Sequence, residues 1–238
     1  MEEAPGTSYQ NAMDQRIIWD FYQNKTPGLF DDNVARLGYL VRQLKPPCRV
    51  LNIGIGNGLF ERLASIAGHE VVCLDPSTEA IERLKREIPL EAYVGVSSAI
   101  PLPNENVDAV VASELLEHLK DNELQSTLCE IRRVLKPQGS FLGTVPHNEK
   151  LEANMVLCPH CGARFHRWGH ERAFTIQSIG ELLGGFFEIQ QISRRKFVPW
   201  RRRSSLYKLS GLLKVALVFL GLPVENTNIF FLARKRTA

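Results

Sequence analysis

Between Arg49 and Pro146 the chain alternates short apolar runs with longer amphipathic segments, and that rhythm leaves few folds open. The runs "RVLNI", "HEVVCLD", "LEAYVG", "VDAVVAS" and "SFLGTVP" have the length and β-branched content of buried strands. Between them, "GLFERLASIAG", "STEAIERLKREI" and "NELQSTLCEIRRVL" carry apolar residues at helical spacing. Gly68 closes the first, Ser77 or Thr78 caps the second, and a Lys136-Pro137-Gln138-Gly139 turn follows the third. Strand and helix in this order predict a doubly wound α/β domain, a parallel sheet covered on both faces.

With 238 residues, 44% of them hydrophobic, the chain reads as one decorated domain, 1–238. Residues 1–48 form a helical cap in which "DQRIIWDFYQ" and "DNVARLGYLVRQL" are amphipathic, and 49–146 form the core. The rhythm breaks over 147–173, resumes in "TIQSIGELLGG" and "FFEIQQIS", breaks again over 194–224 and ends on "TNIFFLARK". Long insertions of this kind in a compact domain tend to serve function.

Gly54, Gly56 and Gly58 stand where the first strand turns into the first helix, the place where an open parallel sheet takes its ligand. The spacing misses the dinucleotide fingerprint, because the third glycine of that pattern falls on Leu59. Asp75 ends the second strand 17 residues after Gly58, where a carboxylate can accept both hydroxyls of a ribose. Loop and acid together point to an adenosyl nucleoside, with NAD still open; Asp75 could instead cap the following helix.

Four segments in register then resemble the class I S-adenosylmethionine-dependent methyltransferases, in particular the ubiquinone- and small-molecule-methylating group: "VLNIGIGNG", "VVCLDPS", "IPLPNENVDAVVASELLEHL" and "EIRRVLKPQGSFLGTVP". The resemblance implies a Rossmann-like, seven-stranded, mostly parallel sheet in three α/β/α layers. It also implies methyl transfer from S-adenosylmethionine to a small-molecule, sugar- or lipid-type acceptor. By position, Gly54, Gly56 and Gly58 would line the methionine and ribose side of the cofactor, Asp75 would hold the ribose, and Ser113 would lie near its amino-acid end. Two positions depart from the family. Asn52 replaces the acid that usually ends the first strand, and "GVSSAIP" lacks the acid that usually faces the adenine amine, leaving Ser97 or a backbone carbonyl to serve.

Methyl transfer from a sulfonium is an in-line displacement, so alignment and exclusion of water are the protein's main tasks. For a hydroxyl acceptor the expected general bases are His118 and His147. Glu114 and Glu117 read as helix-face carboxylates. A non-catalytic adenosyl-nucleoside-binding zinc scaffold and an NAD-dependent oxidoreductase are the alternatives.

The first insertion contains "CPHCGARFHRWGH", in which Cys158, Cys161, His166 and His170 have the residue types of a tetrahedral structural zinc site. A metal-free lid over the substrate and a reduced thiol pair without function are the other readings of this segment. The second insertion holds eight Lys or Arg and no acid between Glu188 and Glu225, and its uninterrupted apolar run, Val215 to Leu222, is too short to span a bilayer. It reads as an interfacial helix on anionic lipid, a lid over a phosphate-bearing or lipid-linked acceptor, or a helix packed on the sheet. No nucleic-acid partner is expected. The N-terminal residues lack the pattern of a secretory signal, so a cytoplasmic location, with peripheral membrane contact through 194–224, is the expectation.

Overall fold

The computed structural model describes residues 15–198 and 205–236. Seven strands form one sheet: β1 (Arg49–Ile53), β2 (Glu70–Asp75), β3 (Glu91–Val94), β4 (Val107–Ser113), β5 (Leu135–Pro146), β8 (Phe187–Arg195) and β9 (Asn228–Lys235), in the order β3-β2-β1-β4-β5-β9-β8. The strands β3, β2, β1, β4 and β5 run parallel, and β9 lies antiparallel between β5 and β8. The expected Lys136–Gly139 turn is taken up inside β5, where the pairing with β4 skips from Leu135 to Ser140.

Alternate residues of each strand serve opposite faces, and the core divides accordingly. On one face Val50, Val71 and Cys73 meet α2 (Val34–Gln43), α3 (Leu59–Ile66) and α4 (Thr78–Glu87) through Leu40, Phe60, Ile81 and Leu84. On the other face Leu51, Val72 and Leu74 join the cluster that receives α5 (Asp121–Val134) and α6 (Ile176–Gly184) through Leu128, Ile131, Ile179 and Leu183. The chain runs outward from β1 to β3 and then crosses back to β4, so β1 and β4 part at their carboxyl ends. That divergence opens the cleft.

Three segments lie outside the sheet and its main covering helices. Ahead of the sheet, α1 (Gln15–Asp20) runs on into a π-helical turn, Phe21–Lys25, and a 3₁₀ stretch, Pro27–Asn33, so the first expected helix is present but less regular than its amphipathic pattern suggested. The first insertion holds a small hairpin, β6 (Met155–Leu157) with β7 (Arg164–His166). The second forms α7 (Ser205–Phe219), which packs against β8 and, through Gly211, against Val198 in the stretch after β8. The arginines at 201–203 lie outside the described residues.

Gly143 marks the tightest packing in the sheet. A Cβ there would lie 1.9 Å from the Ala112 carbonyl oxygen and 2.7 Å from Phe231 Cζ. Gly143→Ala should therefore lower stability by about 3 kcal/mol, as overpacked core positions do. Urea unfolding measures this, and an unchanged midpoint would contradict the packing described.

Candidate active site

A cavity of about 710 Å³ opens at the carboxyl ends of β1, β2 and β4. Asp75 sits in its floor, 1% exposed. Its Oδ2 accepts the Ile55 backbone N–H at 2.9 Å and the Gln23 amide at 2.8 Å, and its Oδ1 accepts the Ser77 N–H at 2.9 Å. Burial raises this carboxyl above its ordinary range, against the opposing effect of these three donors. One carboxylate thus ties the glycine loop, the start of α4 and the N-terminal segment together. Ser77 caps α4 by accepting from the Ala80 N–H, so Asp75 itself is not that helix's cap.

The glycine loop rises over this floor. Gly54, Gly56 and Gly58 all have left-handed backbone, with φ of 84°, 54° and 76°, which only glycine adopts at little cost. Gly54 and Gly56 line the cavity, but Gly58 does not: it starts α3, and a Cβ there would lie 2.6 Å from Leu84 Cδ1. The expectation that Gly58 faces a ligand is corrected to a packing role.

Asn52, Ser97 and Ser113 also reach the cavity wall, each already engaged. The Asn52 amide donates to Glu61 Oε1 at 2.6 Å and to the Gly54 carbonyl at 3.2 Å. Ser97 Oγ pairs with Thr127 Oγ1 at 2.8 Å, which commits the hydroxyl expected to face an adenine and leaves the backbone of 96–98 for that task. Ser113 Oγ pairs with Thr144 Oγ1 at 3.1 Å.

The other end of the cavity is built from pieces distant in sequence. Trp19, Phe30 and Leu37 supply apolar surface, Arg36 pairs with Glu114 at 3.3 Å, and His118 forms part of the wall. Glu114 has left-handed backbone, φ 55°, and accepts from Asn228 at 3.0 Å, while Glu117 is fully buried. Neither is the helix-face carboxylate expected. Non-glycine residues in this backbone region recur at functional sites because the surrounding structure must hold them there.

Of the two expected bases, His147 falls outside the cavity, with Nδ1 3.2 Å from Thr227 Oγ1. It follows β5 directly, its backbone N–H donates to the Thr227 carbonyl at 2.9 Å, and burial lowers its pKa. His118 does reach the cavity. Its Nδ1–H donates to the Gly169 carbonyl at 3.1 Å, and its ring meets Trp19 and His170 edge-on, both at 4.5 Å. Burial, then the neighbouring His170, lowers its pKa to about 3, so it is a neutral imidazole and not a proton store near pH 7.

The four zinc ligands expected from the first insertion do not converge. His166 pairs with Met155 at the inner end of the β6/β7 hairpin, whereas Cys158 and Cys161 occupy its outer tip, two strand pairs or about 7 Å further on. The tip keeps the tight turn that the spacing promised: Gly162 donates to the Cys158 carbonyl at 2.9 Å, and backbone N–H groups of Cys161 and His160 hold the Cys158 thiol below its usual pKa. Among the described residues, the groups of three donor atoms within 4.8 Å of one another are Glu117/His118/His170 and Glu149/His166/His170.

The two groups differ in their surroundings. His166 Nδ1 accepts backbone N–H groups of Trp168 and His170, so its proton sits on Nε2, the atom that faces Glu149. His118 and His170 have the opposite arrangement: Nδ1 of each is held by an oxygen, of Gly169 and of Glu149, which turns Nε2 into the atom able to ligate. Glu117 has no hydrogen-bond partner for either oxygen among the described residues, nor has His118 Nε2. Gln23, Glu61 and Glu149 were missed in the sequence, and Glu114 was read there as a helix-face carboxylate. Only Glu61, an acid beside the apolar stripe of α3, left a trace there.

Residues 51–143 match the methyltransferase domain family. The chain is 27% identical over 223 residues to a ubiquinone biosynthesis O-methyltransferase of Xanthomonas oryzae pv. oryzae, covering 86% of this chain and 92% of the relative. Its fold is similar to that of the 1,6-didemethyltoxoflavin-N1-methyltransferase of Burkholderia thailandensis, solved with its substrate and S-adenosylhomocysteine: TM-score 0.67, 16% identity, 100% of this chain and 93% of that one. It also resembles the [4+2]-cyclase SpnF, with TM-score 0.59 at 20% identity over 86% of this chain and 81% of that one, so the fold alone does not fix the chemistry.

Asp75→Ala would strand two backbone N–H groups and the Gln23 amide. A loss of about 2–3 kcal/mol is expected without any ligand present. Denaturant unfolding checks it, and a loss under about 0.5 kcal/mol would show that the carboxylate does not hold the loop.

Proposed function

We propose that this chain, a class I S-adenosylmethionine-dependent methyltransferase by the family match of its residues 51–143, transfers the methyl group to a hydroxyl of a small, ring-bearing acceptor. The observation that carries this reading is the cavity itself, with a buried carboxylate at one end and the rings of Trp19 and Phe30 at the other. Support for an oxygen target and a quinone-type ring comes from the O-methyltransferase relatives.

In this reading the ribose hydroxyls meet Asp75 after the Gln23 amide gives way. Asn52, Gly54 and Gly56 flank the rest of the cofactor, and Ser113 lies toward its amino-acid end. The backbone at Ser97 takes the adenine edge. The remaining work is alignment, since a methyl group 3–3.5 Å from its nucleophile and in line with the leaving sulfur is already most of the way to reaction. Trp19 and the first insertion keep water from that line: Tyr22 rests on Trp168 at 4.9 Å and hydrogen-bonds the Arg167 carbonyl at 3.3 Å.

The acceptor proton needs a destination other than His118 as a free base. A divalent metal ion, zinc in the first instance, fits Glu117, His118 and His170. Two histidines whose Nδ1 atoms are each held by an oxygen match the usual outer shell of metal-bound histidine. Two histidines and one carboxylate leave positions open. When bound, such an ion lowers the pKa of a coordinated hydroxyl.

A membrane-facing role for the second insertion is favoured by α7, whose Leu209, Leu212, Leu213 and Phe219 are 55–83% exposed beside Arg194, Arg195, Lys196 and Lys214. Apolar exposure on this scale marks an interaction surface, and basic neighbours suit anionic lipid. Among the described residues no helix is long and apolar enough to cross a membrane.

Incubation with S-adenosylmethionine and a panel of catechols and hydroquinones should give methyl ethers detected by mass spectrometry. Turnover confined to nitrogen acceptors would overturn the oxygen assignment. The purified protein should hold one equivalent of metal, lost in His170→Ala and retained in Cys158→Ser/Cys161→Ser. Chelation should cost about 10–100-fold in rate, and metal that follows the cysteines would refute the site. Sedimentation with phosphatidylglycerol vesicles should exceed that with phosphatidylcholine and fall about tenfold in Leu212→Ser/Leu213→Ser. Equal, negligible sedimentation with both would remove the membrane role.

A further inference from the structure

Asn52 stands where the resemblance led us to expect an acid, yet a carboxylate is close behind it. Glu61, in the first turn of α3, is 0% exposed. Its Oε1 accepts the Asn52 amide at 2.6 Å, and its Oε2 has no hydrogen-bond partner among the described residues. Asn52 also donates to the Gly54 carbonyl, which fixes which end of the amide faces Glu61. Asn52 lines the cavity, so one side chain separates this carboxylate from the ligand space.

We infer that Glu61 is the counter-charge for the cationic amino-acid portion of the cofactor, acting through Asn52 from behind the cavity wall. The inference rests on the S-adenosylmethionine reading above. Two details of position favour it. The first turn of a helix stabilises an anion, and a buried carboxylate with a bare oxygen has little reason to persist in a core unless a positive charge meets it. Glu61 acts on a neighbour, so it is a positioning residue and not a catalytic one.

The charged groups around Glu61 set the sign of its pH dependence. Asp75 on β2 opposes its ionisation, as does the Cys73 side chain from the same strand if it ionises, whereas Arg62 on its own helix and the Asn52 amide favour it. Burial outweighs these and pushes its pKa up to about 7. Without ligand the carboxyl is therefore partly protonated at neutral pH. A cation arriving at the cavity wall favours the carboxylate, and the proton released passes to the buffer. Affinity for a cationic ligand should rise as pH increases through 7.

Calorimetry with three ligands separates the possibilities: S-adenosylmethionine, S-adenosylhomocysteine, and 5′-methylthioadenosine, which has neither the ammonium nor the sulfonium. Glu61→Gln should weaken the first two about tenfold at pH 8, one pKa unit's worth of interaction, and change the third less than about twofold. In the unaltered protein, titrations at pH 7 in Tris and in phosphate should reveal proton release with the two charged ligands and none with 5′-methylthioadenosine. This second measurement stands even if the variant does not fold. Equal effects on all three ligands, or no proton release, would overturn the counter-charge role while leaving cofactor binding intact. Failure of all three to bind the unaltered protein would overturn both readings.

Discussion

The carboxylate of Asp75 is the point on which the cofactor end of the molecule depends. A buried acid with three donors, two of them backbone N–H groups, is satisfied before any ligand arrives. Those donors come from the glycine loop, the start of α4 and the N-terminal segment, so removing the acid disturbs three elements together. The same arrangement sets the terms of binding. A ribose must displace or share the Gln23 contact, and entry is thereby linked to movement of the segment that lies over the cleft. Asn24 and Asp20 add contacts to Ser77, and Arg83 adds one to Asn24, extending that attachment beyond a single bond.

A second theme is the number of acids held out of water around the cavity. Glu61 and Glu117 are fully buried, and Glu114 and Glu149 are mostly so. Glu114 is ion-paired with Arg36, and Glu149 faces His166 and His170, whereas Arg62 and Arg36 act on Glu61 and Glu117 without bonding to them. Isolated buried carboxylates are costly, and proteins retain them where a cation is bound or charge develops. Glu61 stands behind the strand-one wall and Glu117 behind the opposite end, and burial raises the pKa of both, so each gains its charge most readily when a cation sits beside it. That pattern suits the proposed cationic cofactor at one end and the proposed metal ion at the other.

The sheet was largely legible because its signals are local. Each central strand is an apolar run with turn residues on both sides, and each helix has a periodic apolar face, so "VLNIGIGNG" and "VVCLDPS" could be placed at strand ends from spacing alone. Gly58 and His147 were misplaced because a position near the loop or at a strand end does not say which way the residue faces. The acceptor end was harder to read. His118, Gly169 and Trp19 meet across stretches of sequence with no shared pattern, and the Cys/His spacing hid the fact that hairpin geometry separates its two halves. Glu117 looked like an ordinary surface acid in "LLEHL". Only packing reveals that both of its oxygens are enclosed.

The most direct test is a crystal structure of the protein saturated with S-adenosylhomocysteine. The expected result is a ribose hydroxyl within hydrogen-bonding distance of Asp75, the Gln23 amide moved from its present contact, and the amino-acid end against Asn52. Density showing the Gln23–Asp75 pair intact, with the ligand bound elsewhere or absent at saturating concentration, would contradict the assignment of this cavity.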